Sequence, residues 1–384
     1  MRVEFLSSNE ASAEGAIAAG LKVYIGYPIT PSSDLFEYLA EKLPKYGGIV
    51  YQAEDEIASI NALVGAALAG AKAMTATSGP GFSLMQEGIG LAIMLEAPLV
   101  IVSDMRTGPS TGIATQIGQG DIMQARWGSH GPYNLVAYAP ASAQEAFDYT
   151  VKAFNTAVKL RIPVIVLMDA ILAHTREKVI VREPGEIEVV DFKKTKKPPG
   201  EYKPYEPDPE DLIPPMAFFG EGYKILHESL AHDERGYYKT SPEVYRPLVE
   251  RFIEKVERNK SYVVASKEYY TEDAEVLFIA IGSVARSTLA LVRDLRRSGI
   301  KVGLFRPISI WPFDEDKFIN IARRVKKIVV AEMNQGQLIW IIKKILWDNR
   351  IFNVEVYSLP LLLPDLPSPD EIYDEIKNRG WKLW

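Results

Sequence analysis

The sequence predicts an α/β protein built on parallel sheets, and three observations carry that prediction. Short, uninterrupted apolar runs recur at Val23–Tyr27, Gly48–Tyr51, Ala71–Thr75, Leu99–Val102 and Val164–Met168. Stretches with helical spacing lie before and between them, and strands that alternate with helices give a parallel sheet covered on both faces. Polar or glycine-rich turns fall where strands hand over to helices or loops: Gly26–Ser33, Glu54–Glu56, Thr75–Gly81 and Arg106–Gly112. In a parallel sheet such hand-overs share one edge, where ligands bind.

Taken in order, the expected helices of the first part are Asn9–Ala19, Pro31–Leu43, Ile57–Leu68, Phe82–Met94 and Ser142–Lys159. The third is the clearest, because Ile57, Ile60, Asn61, Val64 and Leu68 recur at the three- and four-residue spacing of one helix face. Eight prolines from Pro184 to Pro215, with Lys193, Lys194, Lys196 and Lys197 among them, then predict a stiff, solvated connector poor in helix. Ser241–Asn259 reads as an exposed amphipathic helix with Ser241 at the N-cap and Pro242 at the first position. Val244, Leu248, Phe252 and Val256 share its apolar face, and Pro247 leaves open a start at that residue. A second α/β unit opens near Glu275, with strands Val276–Ile281, Lys301–Phe305, Lys327–Ala331 and Asn353–Val356. Helices Ala285–Arg297, Asp314–Val325 and Gly336–Trp347 fit between and beside them. The Leu- and Pro-rich tail Leu359–Pro369 is expected to pack across a partner or another domain. The expected division is 1–183, 184–274 and 275–384.

Composition narrows the functional classes. The chain has 384 residues, 47% hydrophobic and 24% charged, an ordinary globular balance with length for a sizeable core. Net charge is −6 with no long basic run, which argues against nucleic acid. The longest apolar region, Gly88–Val102, is broken by Glu96 and Pro98, so it reads as helix, turn and buried strand rather than a membrane span. No signal peptide is read at the N-terminus, and a cytoplasmic location is expected by default. With no cysteine, the chain can hold neither a disulfide nor a cysteine-ligated iron–sulfur cluster.

Among the candidate residues, Glu54 and Asp55 fit simple helix electrostatics, acids being favoured in a first turn. Glu56 differs, since it opens a helix of small and apolar residues, where desolvation raises a carboxyl pKa and lets the acid share a proton with a ring nitrogen. Thr77 and Ser78 are hydrogen-bonding groups beside Gly79-Pro80-Gly81, which either makes a tight turn or lets a ligand approach the backbone. No Lys-Ser or Lys-Thr follows, so this is not a Lys-containing phosphate loop. Arg106, at a strand's carboxyl end, suits a two-point grip on a carboxylate, with a pair to Asp104 or Asp121 as the equal alternative. His130, His174, His227 and His232 lack metal-ligand spacing and are expected to be structural; no metal ligand is assigned on this chain. Ile281-Gly282-Ser283 could bind an anion at a helix N-terminus, although a cap and turn is the plainer reading. Glu332–Gly336 could face a subunit interface.

Together these motifs resemble those of the 2-oxoacid:ferredoxin oxidoreductases, and nearly the full length is similar to their separate alpha subunit, most closely the 2-oxoglutarate type. Tyr27–Ser33, Glu54–Glu56, Thr75–Gly81 with Met85, and Arg106–Gly112 match in order and spacing. The resemblance implies a pyrimidine-binding domain of a thiamine diphosphate enzyme, then a transketolase C-terminal-like domain. It implies that Glu56 faces N1′ of the aminopyrimidine, where its hydrogen bond favours the imino form that takes the proton from the thiazolium C2. It implies that Thr30 and Arg106 hold the 2-oxoacid carboxylate, and that Tyr27, Pro28, Ile29, Thr77, Ser78 and Gly79 line the cofactor. The family's diphosphate motif, Gly-Asp-Gly with two closing asparagines, is missing here. A beta subunit is therefore expected to supply the diphosphate site, Mg2+ and the [4Fe-4S] cluster in a hetero-oligomer, with coenzyme A and ferredoxin as further partners. The implied reaction converts a 2-oxoacid, coenzyme A and oxidised ferredoxin to acyl-coenzyme A, carbon dioxide and reduced ferredoxin. Indolepyruvate or another oxoacid is the competing substrate. A dicarboxylate would need a second clamp, for which Arg126 and His130 are candidates. A non-catalytic subunit of the same fold is the other competing reading, and the presence of Glu56, Thr30 and Arg106 argues against it.

Overall fold

A computed structural model describes residues 1–384. Its larger sheet has eight strands. They run Ser309–Trp311, Val136–Tyr138, Pro163–Asp169, Leu99–Thr107, Ala73–Thr77, Val23–Gly26 and Ile49–Gln52, with Ile113–Ile117 pairing antiparallel to the end of Leu99–Thr107. From Val136–Tyr138 to Ile49–Gln52 every pairing is parallel. The central strands are apolar on both faces because both faces are covered. Leu99–Thr107 gives Val100 and Val102 to one core, with Ser8–Ala18 and Ala143–Leu160, and Ile101 and Met105 to the other, with Glu56–Leu68 and Gln86–Met94.

The second sheet has five strands in the order Ser266–Tyr269, Val302–Pro307, Val276–Ile279, Lys327–Glu332 and Glu355–Pro360, parallel except for its first pair. Its first strand lies ahead of the expected opening near Glu275. The strand Ser309–Trp311, from inside the second unit, leaves it and pairs antiparallel with Val136–Tyr138 of the larger sheet. A separate ribbon joins Arg2–Ser7 to Arg176–Val181.

Several sequence expectations change. Phe82–Met94 forms two helices, Gly79–Leu84 and Gln86–Met94, divided at Met85. The proline-rich segment has no helix, as its composition requires. It is not simply solvated, however: Tyr205 and Ile213 are buried, as are Met216 and Phe218 just beyond it. The helix after it runs Pro242–Glu257, straight through Pro247. Leu248, Phe252 and Val256 are buried as expected and Val244 half-buried, but Arg251 and Lys255 are buried as well.

Those two cations explain how the helix docks. Glu96 has no solvent exposure and accepts from Arg251 Nη2 at 2.7 Å and Lys255 Nζ at 2.8 Å. Arg161 donates to the Glu96 carbonyl and to the carbonyls of Pro204 and Pro214 at 3.0–3.2 Å. The buried Glu96 carboxylate thus ties the following helix, and Arg161 the proline-rich segment, to the first unit.

The two α/β units meet through backbone and amide groups. Gln119 N donates to the Met333 carbonyl and Asn334 Nδ2 to the Gln119 carbonyl. Gln337 accepts from Met123 N and donates to the Gly120 carbonyl. Glu332–Gly336 therefore faces the first unit of its own chain; Glu332 itself caps the helix Leu338–Asp348 by accepting from the backbone N–H groups of Gln337, Leu338 and Ile339. At the N-terminus of helix Gly282–Arg297 the anion is internal: Asp169 Oδ2 accepts from Ser283 N at 2.8 Å. That satisfies the plainer reading of Ile281-Gly282-Ser283. No helix is long and apolar enough to cross a membrane.

Candidate functional site

Parallel topology brings the ends of Val23–Gly26, Ile49–Gln52, Ala73–Thr77 and Leu99–Thr107 to one edge. Asp55 caps the helix that follows Ile49–Gln52, accepting from Ala58 N at 2.7 Å. Glu54 and Asp55 stay exposed, while Glu56, the first helical residue, turns inward and is 5% exposed. Burial pushes the Glu56 carboxyl above its ordinary value, and the Asp55 charge adds to the rise; its own backbone N–H and the Arg106 charge pull the other way.

Against Glu56 packs Gly81, which has no side chain. A β-carbon on Gly81 would fall 2.2 Å from Thr77 Oγ1 and 2.4 Å from Glu56 Oε1. Gly81, Thr77 and Glu56 therefore occupy one small volume. Thr77 Oγ1 and Ser78 Oγ are buried there without hydrogen-bond partners. Ser78 holds the N-cap position of Gly79–Leu84 but its hydroxyl does not cap the helix. Buried hydroxyls left unpaired are uncommon, and a polar ligand would satisfy them.

Arg106 enters from the neighbouring strand and is 6% exposed. Its Nη1 donates to the Thr30 carbonyl at 2.7 Å and its Nη2 to the Thr111 carbonyl at 3.0 Å, while Nε has no partner. It forms no ion pair with Asp104 or Asp121, so the expected alternative does not arise. Three of the five guanidinium N–H groups remain for a ligand. The Arg106 aliphatic stem passes Gly79, whose β-carbon would lie 3.7 Å from Arg106 Cγ. Thr30, half-buried, thus meets Arg106 through its carbonyl. Ile29 is half-buried beside it, and Tyr27 and Pro28 are exposed at the rim.

Arg106 also borders a cleft of about 890 Å³ between the two units. Gly79, Thr107–Ser110 and Asp121 form one wall, and Asn334, Gln335 and Leu361–Pro364 the other. The tail read as packing on a partner or another domain is a wall of this cleft. Asp121 is buried, and burial pushes its carboxyl up to about 6 against the pull of Ser103 and Arg106.

The model of the family described as pyruvate flavodoxin/ferredoxin oxidoreductase, thiamine diphosphate-binding, matches residues 14–251, and that of pyruvate:ferredoxin oxidoreductase core domain II matches residues 274–359. The chain belongs to this oxidoreductase family. It is similar to the 2-oxoglutarate synthase subunit KorA of Methanocaldococcus jannaschii, with 49% identity over 90% of this chain and 92% of that one. The protein of the same name from Archaeoglobus fulgidus is 42% identical over 95% and 97%. The structure of a 2-oxoglutarate:ferredoxin oxidoreductase from Magnetococcus marinus, with 2-oxoglutarate, coenzyme A and succinyl-CoA bound, superposes with a TM-score of 0.90 at 32% identity. It matches 99% of this chain, which spans 65% of that one. A split-gene transketolase, at 14% identity and TM-score 0.56, shares the fold.

The unpaired hydroxyls of Thr77 and Ser78 and the desolvated carboxyl of Glu56 suit the polar edge of an aminopyrimidine ring, the part of the family's thiamine diphosphate that they would hold. Sequence reasoning undervalued Gly81 and missed Asp121 as a cleft acid. The two glycines flanking Pro80 were the available signal for the first; nothing local announced the second. Arg126 and His130 stand apart from the cleft. Arg126 stacks on Trp127 and Tyr133 and donates to Asn134, and His130 is exposed near Glu87. Neither lines the cleft beside Arg106.

Proposed function

We propose that this chain is the pyrimidine-holding alpha subunit of a 2-oxoglutarate:ferredoxin oxidoreductase, completed by a beta subunit that carries the diphosphate site, Mg2+ and the [4Fe-4S] cluster. The convergence of Glu56, Thr77, Gly81 and Arg106 at one sheet edge carries this reading. When bound, thiamine diphosphate supplies the thiazolium carbon that accepts the electrons released on decarboxylation.

The chain's own residues have separate tasks. Glu56, desolvated and with its carboxyl pushed above the ordinary range, is the group placed to hydrogen-bond a ring nitrogen. The Thr77 and Ser78 hydroxyls pair with the polar edge of the ring, and Gly81 lets Glu56 and Thr77 come together beside it. Arg106, already anchored on two carbonyls, presents its remaining N–H groups to the 2-oxoacid carboxylate beside Thr30. A group fixed in this way loses little conformational freedom when it binds. The cleft beside Arg106 would admit coenzyme A, and a cluster on the partner subunit would supply the electron path to ferredoxin.

The reading is tested by co-expressing the chain with a beta subunit bearing the missing diphosphate motif. Thiamine and metal content are measured, then ferredoxin-linked turnover of 2-oxoglutarate, pyruvate, 2-oxoisovalerate and indolepyruvate. Preferred turnover of 2-oxoglutarate supports the proposal. Preference for another oxoacid reassigns the substrate, and a complex that takes up no thiamine diphosphate overturns the reading.

A further inference from the structure

One buried acid takes no part in the site as described. Asp104 lies two residues before Arg106 on the same strand, has no solvent exposure, and neither of its carboxyl oxygens has a hydrogen-bond partner. An ionised carboxylate left in that state is strongly disfavoured, and such a group takes up a proton instead. The side chain beside it is Asn9, from the buried start of helix Ser8–Ala18. The Asn9 amide Nδ2 donates to the Pro31 carbonyl at 2.9 Å, while its Oδ1 lacks a donor. Pro31 follows Thr30, whose carbonyl receives Arg106 Nη1.

We propose that Asp104 is a protonated positioning residue, which donates to the Asn9 amide and through it fixes the Thr30–Pro31 turn against Arg106. One proton then supplies both the missing donor to Asn9 and the missing neutrality of Asp104. The connection closes on itself, because Asp104 and Arg106 share a strand while Asn9 reaches the turn that Arg106 grips. Burial pushes the Asp104 carboxyl up to about 8. The Asn9 amide and His174 oppose that rise, Asp34 and Asp169 add to it, and the buried Tyr24 also faces the group. As pH rises through that value a buried negative charge forms beside Asn9, and the turn loosens.

The consequence for substrate binding rests on the proposed function; the proton does not. Infrared difference spectra of the full chain, wild type against Asp104→Asn, are expected to contain a protonated-carboxyl stretch at neutral pH that disappears in the variant and above about pH 9. In the assembled enzyme, Asp104→Leu should raise KM for the 2-oxoacid by about tenfold or more with little change in kcat. Asp104→Asn, which keeps a donor, should retain the neutral-pH KM and lose its rise in alkali. If Asp104→Leu does not fold, Asn9→Ala should raise KM in the same way. Absence of the carboxyl band, or a wild-type KM in folded Asp104→Leu or Asn9→Ala, overturns the proposal. An assembled wild type that turns over no 2-oxoacid fails the functional reading alone, and the infrared band still decides the proton.

Discussion

Glu56 and Gly81 are in such close contact that a β-carbon on Gly81 would lie 2.4 Å from Glu56 Oε1. The acid and the glycine come from different strand-to-helix turns, and neither defines the site alone. Glycine at position 81 lets the two turns pack this closely, while the small and apolar helix behind Glu56 keeps the carboxyl dry. Gly81→Ala is therefore expected to lower thiamine diphosphate uptake by the assembled enzyme. Glu56→Gln should retain uptake but reduce turnover by about 100-fold or more, the usual scale for removing a positioned acid or base. Turnover at the wild-type rate in Glu56→Gln would remove the acid from the mechanism.

Arg106 is held by the Thr30 and Thr111 carbonyls on opposite sides of its guanidinium. Lysine cannot reproduce that planar fork. Arg106→Lys should raise KM for the 2-oxoacid by roughly 10- to 100-fold, corresponding to the loss of one charge-assisted hydrogen bond of about 1.5–3 kcal/mol. Steady-state kinetics across substrate concentrations check this, and an unchanged KM would mean that the carboxylate sits elsewhere.

Asp121 gives the cleft a pH dependence with a defined sign. Its carboxyl, raised to about 6 by burial, is largely protonated below that pH and leaves the Arg106 charge free for substrate. Above that value the carboxylate competes for Arg106, so KM for the 2-oxoacid should increase as pH rises through about 6. Asp121→Asn should flatten this limb of the profile; a limb that persists in the variant assigns the titration to another group.

Glu96 governs stability rather than chemistry. Burial alone would raise its pKa, but Arg251, Lys255 and Arg161 outweigh burial and hold the carboxyl at about 2, below its ordinary 4.5. Because the folded value is depressed, the ion cluster's stabilisation is present above about pH 4.5 and is lost as pH falls toward 2. Glu96→Gln leaves buried cations uncompensated and should destabilise the chain by about 3–5 kcal/mol. Urea unfolding at neutral pH measures it, and a loss under about 1 kcal/mol would show that solvent reaches the cluster.

Much of the site was legible locally. The dry character of Glu56 follows from its small and apolar neighbours, and the placement of Arg106 follows from the strand it ends. Thr30 was singled out from its motif, and its contact with Arg106 is made by the backbone carbonyl, which no side-chain pattern encodes. Asp121 looked like an ordinary loop acid, and only the opposing wall, with Asn334 and Leu361–Pro364 far along the chain, makes it a cleft residue.

By itself the sequence determined the alternation of strands and helices, the parallel character of the larger sheet and the edge on which the polar turns gather, because burial on two faces imposes a local periodicity. Tertiary structure alone decided that Ser309–Trp311 crosses to the larger sheet, that Glu96 recruits Arg251 and Lys255, and that Gln119 bonds with Met333 and Asn334. Those pairings join residues more than a hundred positions apart through backbone amides and buried charges, whose partners are fixed by the packing of whole units and leave no spacing in the chain to read.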